Sequence, residues 1–302
     1  MSNDQKAVLP AFCSALIKSD GKSRQLCQYL VGETIYADRS RVVFQSEDPL
    51  TERAILIAVF AGKTEAAEEA RARLLPGHDF LYPVHELVAA GGAPAMVLPI
   101  LNGLRLSDLL AKSPRLPLAQ ALRIAREVLL ALAVGQERGL QHGSIDADWV
   151  WVEPDNGHCR LIGLGWRLLE PAGTGELADF LASGSARVPA PEVTEGKIPG
   201  AAADLFGAGM LLYRMLTGKP AYEGNSPLEI IRALAMGEPE RPGSSVSGIP
   251  SEVDLFVMKL LARSVENRPA SARDAAREIK ELEKLAAATA APAVKAEAEE
   301  KS

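Results

Sequence analysis

Cysteine is scarce in this chain of 302 residues: Cys13, Cys27 and Cys159 are the only ones, and they stand far apart. Wide, unpaired spacing offers neither a disulfide framework nor the paired ligands of a zinc site, and it suits a reducing, cytoplasmic setting. Basic residues are not in excess either, since 33 Lys and Arg face 39 Asp and Glu for a net charge of −6. A nucleic-acid partner, which calls for a clustered basic surface, is therefore not expected. No window approaches the ~20 apolar residues that span a bilayer. The opening MSNDQKAVLPAFCSALIKSDGKSRQ lacks the basic start and long apolar core of a secretory leader. Direct membrane insertion is not expected.

What is present is a globular composition, 47% hydrophobic and 24% charged, long enough for a large core. Val42–Phe44 and Ala54–Phe60 are short β-branched runs, and the acidic and Pro residues of Ser46–Thr51 between them predict a hairpin turn. Lys63–Leu75, rich in Ala, Glu and Arg and stopped by Pro76-Gly77, predicts a helix. Leu81–Leu87 and Pro94–Leu101 read as further strands.

After Gly103 the pattern turns helical. Leu118, Ala121, Leu122, Ala125, Val128, Leu129 and Leu132 share one face, and Leu205–Leu216 is apolar nearly all round. Val253–Ala262 is amphipathic, and Ala272–Leu285 follows Ser271 with Asp274 three residues on, a capping box. A β-rich half followed by an α-rich half predicts an α+β fold. The boundaries are set at 1–28 for an N-terminal extension, 29–285 for the folded domain and 286–302 for a tail. That tail holds Ala, Glu, Lys and Pro with no large apolar residue beyond Val294, which predicts a disordered tail or a frayed helical extension.

A series of motifs then narrows the fold. In chain order they are Asp48–Ala58, Asn102-Gly103 with Leu106–Leu110, His142–Gly165 (HGSIDADWVWVEPDNGHCRLIGLG), Ala190-Pro191-Glu192, Asp204–Gly209 and Asn267-Arg268-Pro269. The series resembles the protein-kinase superfamily, particularly bacterial kinases of the Ser/Thr type, over Tyr29–Leu285. The resemblance implies a bilobed fold, with a β-rich N-lobe at about 29–101 and a helical C-lobe at about 102–285. It also implies structural roles. Glu192 would pair with Arg268, and Asp204 would accept backbone N–H groups near His142.

The same resemblance exposes a coherent set of losses. The third-strand Lys position holds Ala58, and its helix partner remains as Glu69 (or Glu68). The proton-accepting Asp position holds Ser144, the metal-binding Asn position Trp149, and the second metal-binding Asp position Gly163. Gly143 replaces the Arg that receives an activating phosphate, so phosphorylation at Thr174, Ser183 or Ser185 would lack its usual partner. The glycine positions of the phosphate loop fall on Tyr36, Asp38 and Arg41, side chains that oppose closure of backbone N–H groups over phosphate. Phosphoryl transfer is mostly positioning and charge neutralisation around magnesium, and these are the groups that supply it.

The expectation is a pseudokinase with no cofactor and no metal, an interaction or allosteric module whose partners are other proteins: an active kinase, a phosphatase, or a regulatory or envelope protein. Two alternatives stay open. Asp146 and Asp148, with acids such as Glu170, are candidate displaced ligands for unusual nucleotide chemistry, although loop capping is their plainer use. A small-molecule sensor using the former nucleotide cleft is the other. Ser144 beside His142 superficially suggests a nucleophile and base, but no acid positions the imidazole as a triad requires.

Overall fold

The computed structural model describes residues 11–14, 16–19, 24–63, 70–71, 78–170 and 188–299. An antiparallel sheet forms the N-terminal lobe from β1 (Lys18–Ser19), β2 (Arg24–Leu26), β3 (Tyr29–Ala37), β4 (Arg41–Asp48), β5 (Arg53–Phe60), β6 (Glu86–Ala90) and β7 (Ala93–Pro99), in the order β1-β2-β3-β4-β5-β7-β6. The hairpin between β4 and β5 turns where the acids and Pro49 placed it. Asp48 accepts the Leu50 N–H at 3.0 Å and the Thr51 hydroxyl at 2.8 Å, and Glu52 takes a left-handed φ of 54°.

Residues that precede the first strand pack on one face of this sheet. Cys13, Leu16 and Ile17 pack with Leu26, Tyr29, Val31, Phe44 and Ile57. Among the described residues the sheet therefore begins at Lys18 rather than at Tyr29, and part of the stretch expected as an N-terminal extension belongs to it. A second expectation shifts as well: the strand placed at Leu81–Leu87 starts at Glu86. Leu81 instead bridges Leu161 of the other lobe, and the Pro83 that follows cannot donate to a ladder. Of the helix expected over Lys63–Leu75, the described residues are Lys63, which is not helical, and Ala70 and Arg71, which are.

The C-terminal lobe is built from α1 (Leu106–Lys112), α2 (Leu118–Gln136), α3 (Ala201–Thr217), α4 (Pro227–Met236), α5 (Ser251–Leu260) and α6 (Ala272–Glu299). A small sheet of β8 (Leu104–Arg105), β9 (Val150–Val152) and β10 (Cys159–Leu161) lies against them. Leu122, Leu129, Phe206, Leu212, Phe256 and Ile279 meet in one large core. Ser271 Oγ accepts the Asp274 N–H at 3.1 Å, closing the expected cap of α6. That helix continues to Glu299, so of the two expectations for the tail the helical extension, not disorder, agrees with the described residues from Ala286 on. Ala, Glu and Lys are strong helix formers and prolong a helix already nucleated by packing.

A third apolar cluster joins the lobes. Val43, Ala58, Phe60, Met96 and Leu98 from the sheet pack with Trp149, Ile162, Trp166 and Leu169 from the helical lobe.

Candidate functional site: the cleft between the lobes

The floor of the cleft is held from behind by Asp204, in the first turn of α3. Its carboxylate accepts the N–H of His142 at 2.9 Å and that of Gly143 at 2.6 Å. Burial pushes this carboxyl up to about 6, against the pull of those two donors. His142 is buried, and its Nε2 lies 2.7 Å from the Ile162 carbonyl oxygen. A carbonyl only accepts, so Nε2 carries the proton and Nδ1 is left to accept the Ser144 N–H at 3.3 Å. In that tautomer the imidazole ties the backbone of the His142–Ser144 turn to that of Ile162, and both its nitrogens are engaged with backbone rather than with the Ser144 hydroxyl.

Glu192 and Arg268 are also brought together. Arg268 Nη1 and Nη2 each meet a Glu192 oxygen at 2.8 Å, a buried bidentate pair. The remaining donors of Arg268 reach the carbonyls of Ala262 and Ala202, both at 2.8 Å, and of Arg263 at 3.4 Å, and its guanidinium lies 5.1 Å from the centroid of Phe206.

Above this frame the cleft is filled with side chains. Ala58 has no exposed surface, and its cross-strand partners are Val43 and Met96. Trp149 meets Tyr36 edge-on at 5.0 Å and Trp166 at 5.2 Å, and Trp166 meets Phe60 at 5.3 Å. These are favourable edge-to-face geometries that run from the sheet lobe to the helical lobe. Nearer the connection between lobes, Trp151 lies edge-on to Tyr82 and donates its indole N–H to the Asn102 carbonyl at 3.3 Å. Gly163 takes a left-handed φ of 94°, and a Cβ there would sit 3.2 Å from His142 Nε2.

Arg41 occupies the centre. It opens β4, and its side chain is only 7% exposed. The guanidinium reaches Asp38 at 3.2 Å, Glu170 at 3.4 Å and the Ser144 hydroxyl at 3.2 Å. It also lies 5.0 Å from the Trp149 ring, 5.5 Å from Tyr36 and 5.7 Å from Trp166. Burial works against its charge, but Glu170 and Asp38 more than offset that and raise its pKa. The two carboxylates differ. Burial disfavours ionised Asp38, yet Arg41, the Tyr36 hydroxyl at 2.6 Å and Ser40 together hold it below the usual carboxylate range. At Glu170 burial prevails over the longer pair with Arg41, and its carboxyl is pushed up. The oxygen facing Arg41 takes no hydrogen bond among the described residues.

Asp146 Oδ1 accepts the Asp148 N–H at 2.7 Å and caps the short helical turn Ala147–Trp149. Among the described residues, no group of three or more His, Cys, Asp or Glu side chains is arranged to hold a metal ion. Glu68 and Glu69 lie outside the described residues, as do Thr174, Ser183 and Ser185. The sequence marked Ala58, Ser144, Trp149 and Gly163 and the frame of His142, Asp204, Glu192 and Arg268. It gave no notice of Arg41 as a buried cation, or of Trp166 as a wall of its cage. The one signal was the trade of Gly-rich and acidic positions for aromatic rings plus an Arg-Asp pair three residues apart.

A family model described as the protein kinase domain matches residues 61–281. The match starts just after β5, so Tyr36, Asp38, Arg41 and Ala58 precede it. The chain is 31% identical to the serine/threonine-protein kinase PkaA of Streptomyces coelicolor over 198 residues, 64% of this chain and 35% of that one. It is 27% identical to the serine/threonine-protein kinase PknK of Mycobacterium tuberculosis over 252 residues, 80% of this chain and 22% of that one. It is 26% identical to PknB, another serine/threonine-protein kinase, of Mycobacterium leprae over 180 residues, 60% of this chain and 29% of that one. The chain thus spans between about a fifth and about a third of the length of these relatives. With its sheet lobe, helical lobe, catalytic-loop frame and a family match over most of its length, the chain belongs to the protein kinase family.

Proposed function

We propose that this domain is a non-catalytic protein kinase that works as an interaction or allosteric module. The observation that carries the reading is the apolar packing of Ala58, Trp149 and Trp166 across the cleft, at and beside the positions where the family holds its phosphate-binding Lys and a metal ligand. Ser144 and Gly163 complete the set, as neither offers a carboxylate to a hydroxyl proton or a metal. Removing one such electrostatic group typically costs ~3 kcal/mol of transition-state stabilisation. The losses overlap rather than add, yet with all of them together useful turnover is not expected. The frame that positions the loop is kept, as expected of a domain used for its shape.

Partners are proposed to be proteins: an active kinase, a phosphatase, or a regulatory or envelope protein in a cytoplasmic signalling assembly. Ile198, Leu228 and Met236 are large apolar side chains exposed on the helical lobe and are the first positions to test for such a contact. No helix among the described residues is long and apolar enough to cross a membrane.

A second reading, phosphotransfer by an atypical arrangement, is favoured by the names of the relatives, which are serine/threonine-protein kinases. One experiment separates the two. Purified chain is incubated with radiolabelled ATP, generic protein substrates and magnesium or manganese, beside thermal denaturation with ATP, ADP and GTP. No transfer and no metal-dependent shift are expected. Metal-dependent transfer, or a nucleotide stabilisation of several degrees that requires the metal, would overturn the non-catalytic reading.

A further inference from the structure

We infer that Arg41 is an internal latch: a cation belonging to the chain that holds the two lobes closed on each other, so that closure is set by the protein rather than by a ligand. The inference rests on the non-catalytic reading.

The base of the latch is rigid. Asp38 Oδ1 accepts the N–H of Ser40 at 2.8 Å, the Ser40 hydroxyl at 2.9 Å and the N–H of Arg41 at 2.9 Å, fixing the turn from which the arginine stem rises. The head crosses the cleft. Ser144 lies 103 positions on in the catalytic loop, and Glu170 follows the short helical turn Trp166–Leu169. Sheet lobe and helical lobe therefore share one buried guanidinium, with a carboxylate from each.

A second contact lies beside the first. The Gly62 N–H, in the sheet lobe, donates to the Leu169 carbonyl at 3.1 Å, next to Glu170. A Cβ at Gly62 would strike that carbonyl oxygen, so the close approach needs glycine there. The Gly62 amide consequently reports whether the lobes are closed at the point where Arg41 joins them.

The contacts of the buried cation make the latch firm. Opening the cleft while Arg41 stays with Asp38 breaks its contact with the Ser144 hydroxyl and withdraws the cation from Trp149 and Trp166. Removing Arg41 leaves two carboxylates facing each other in a low-dielectric site. Breaking a buried pair by deleting one partner typically shifts an equilibrium by about a hundredfold or more. A ligand-closed cleft behaves differently, because protection there rises with ligand concentration.

The test is site-resolved amide exchange on the full chain, read at Gly62 and at Leu212 in the core of the helical lobe. Arg41→Met keeps an unbranched stem without charge, and Arg41→Ala opens a cavity that methylguanidinium fits. The expected result is exchange at Gly62 faster by about a hundredfold in both variants with Leu212 unchanged, and millimolar methylguanidinium restoring protection in Arg41→Ala alone. Magnesium-ATP should leave Gly62 exchange in the unsubstituted chain as it was. The latch is overturned by unchanged Gly62 exchange in both variants, by equal acceleration at Leu212, by failure of methylguanidinium to protect, or by tenfold or greater protection from magnesium-ATP. Phosphotransfer by the unsubstituted chain would sink the non-catalytic reading alone and leave the Gly62 comparison standing.

Discussion

Arg268 and Glu192, 76 positions apart, meet through two parallel bonds of 2.8 Å in a site where the arginine side chain has no exposed surface. The pair ties the short helix Pro191–Thr194 to the segment before α6. Deleting one member of a buried, hydrogen-bonded pair costs about 3–5 kcal/mol, because the other charge is left uncompensated. Arg268→Ala is therefore expected to lower the unfolding free energy of the helical lobe by that amount, read from urea denaturation. Arg268→Lys should cost less but still clearly destabilise, since an ammonium cannot reproduce the two-pronged geometry. A cost below about 1 kcal/mol for Arg268→Ala would show the pair to be dispensable.

Asp204→Asn tests the anchor beneath His142. The Asp204 carboxyl rises to about 6 from an ordinary 3.8. Its contribution is thus fully present below the unfolded pKa and is lost as pH climbs through about 6. At ~1.36 kcal/mol per unit the change is on the order of 3 kcal/mol across that window. Asn does not titrate, and its NH2 cannot accept one of the two N–H groups, a loss of about 1–3 kcal/mol. The substitution should accordingly cost more near pH 4 than at pH 7, as measured by paired denaturant titrations. A larger cost at pH 7 would mean that the two N–H donors, not burial, govern this carboxyl.

The two partners of Arg41 are expected to respond in opposite ways. Asp38 is held below the ordinary range, so its contribution exists above its unfolded pKa and disappears as pH falls through the folded one. Glu170 is pushed up, so its ionised form opposes folding at neutral pH. Asp38→Asn should then destabilise at pH 7 by about 1–3 kcal/mol, since the amide keeps one accepting oxygen but loses the charge and the second oxygen, which meet Arg41 and the Tyr36 hydroxyl. Glu170→Gln should be neutral or slightly stabilising. Thermal denaturation of both variants at pH 7 decides it, and the reverse order would overturn the assignment.

Much of this architecture was legible because it is local or ordered along the chain. The α2 face, the α6 cap at Ser271 and the β4–β5 turn at Asp48 each follow from a few neighbouring residues. The Asp204 and Arg268 contacts were legible only through motif order, since nothing local joins residues 62 or 76 positions apart. Arg41 was legible by neither route. In sequence it is one more side chain where a phosphate loop has glycine, and its partners at Ser144 and Glu170 meet it only once the lobes close. Leu81 misled for a related reason. Its apolar run suits a strand, but its partner, Leu161, lies in the other lobe.

Restoring two lost groups, by Ala58→Lys with Gly163→Asp, is the direct trial of whether a nucleotide site lies dormant here. In sequence the pair looks sufficient to bring back a phosphate ligand and a metal ligand. The packing predicts otherwise. Ala58 is fully buried among Val43, Met96 and Trp149, so a lysine there must place its ammonium in an apolar cluster or displace the rings. Asp tolerates the left-handed backbone of residue 163 better than most residues, but its Cβ presses on His142 Nε2. Arg41 meanwhile holds the cleft beside Trp149 and Ser144, where a cation-bound phosphate would need room. The double variant is expected to lose about 3 kcal/mol or more of stability, with no added stabilisation by magnesium-ATP in thermal denaturation. A metal-dependent rise of several degrees in the double variant would show that the cleft can reopen around two residues, and that its aromatic filling is an adaptable lining rather than a fixed core.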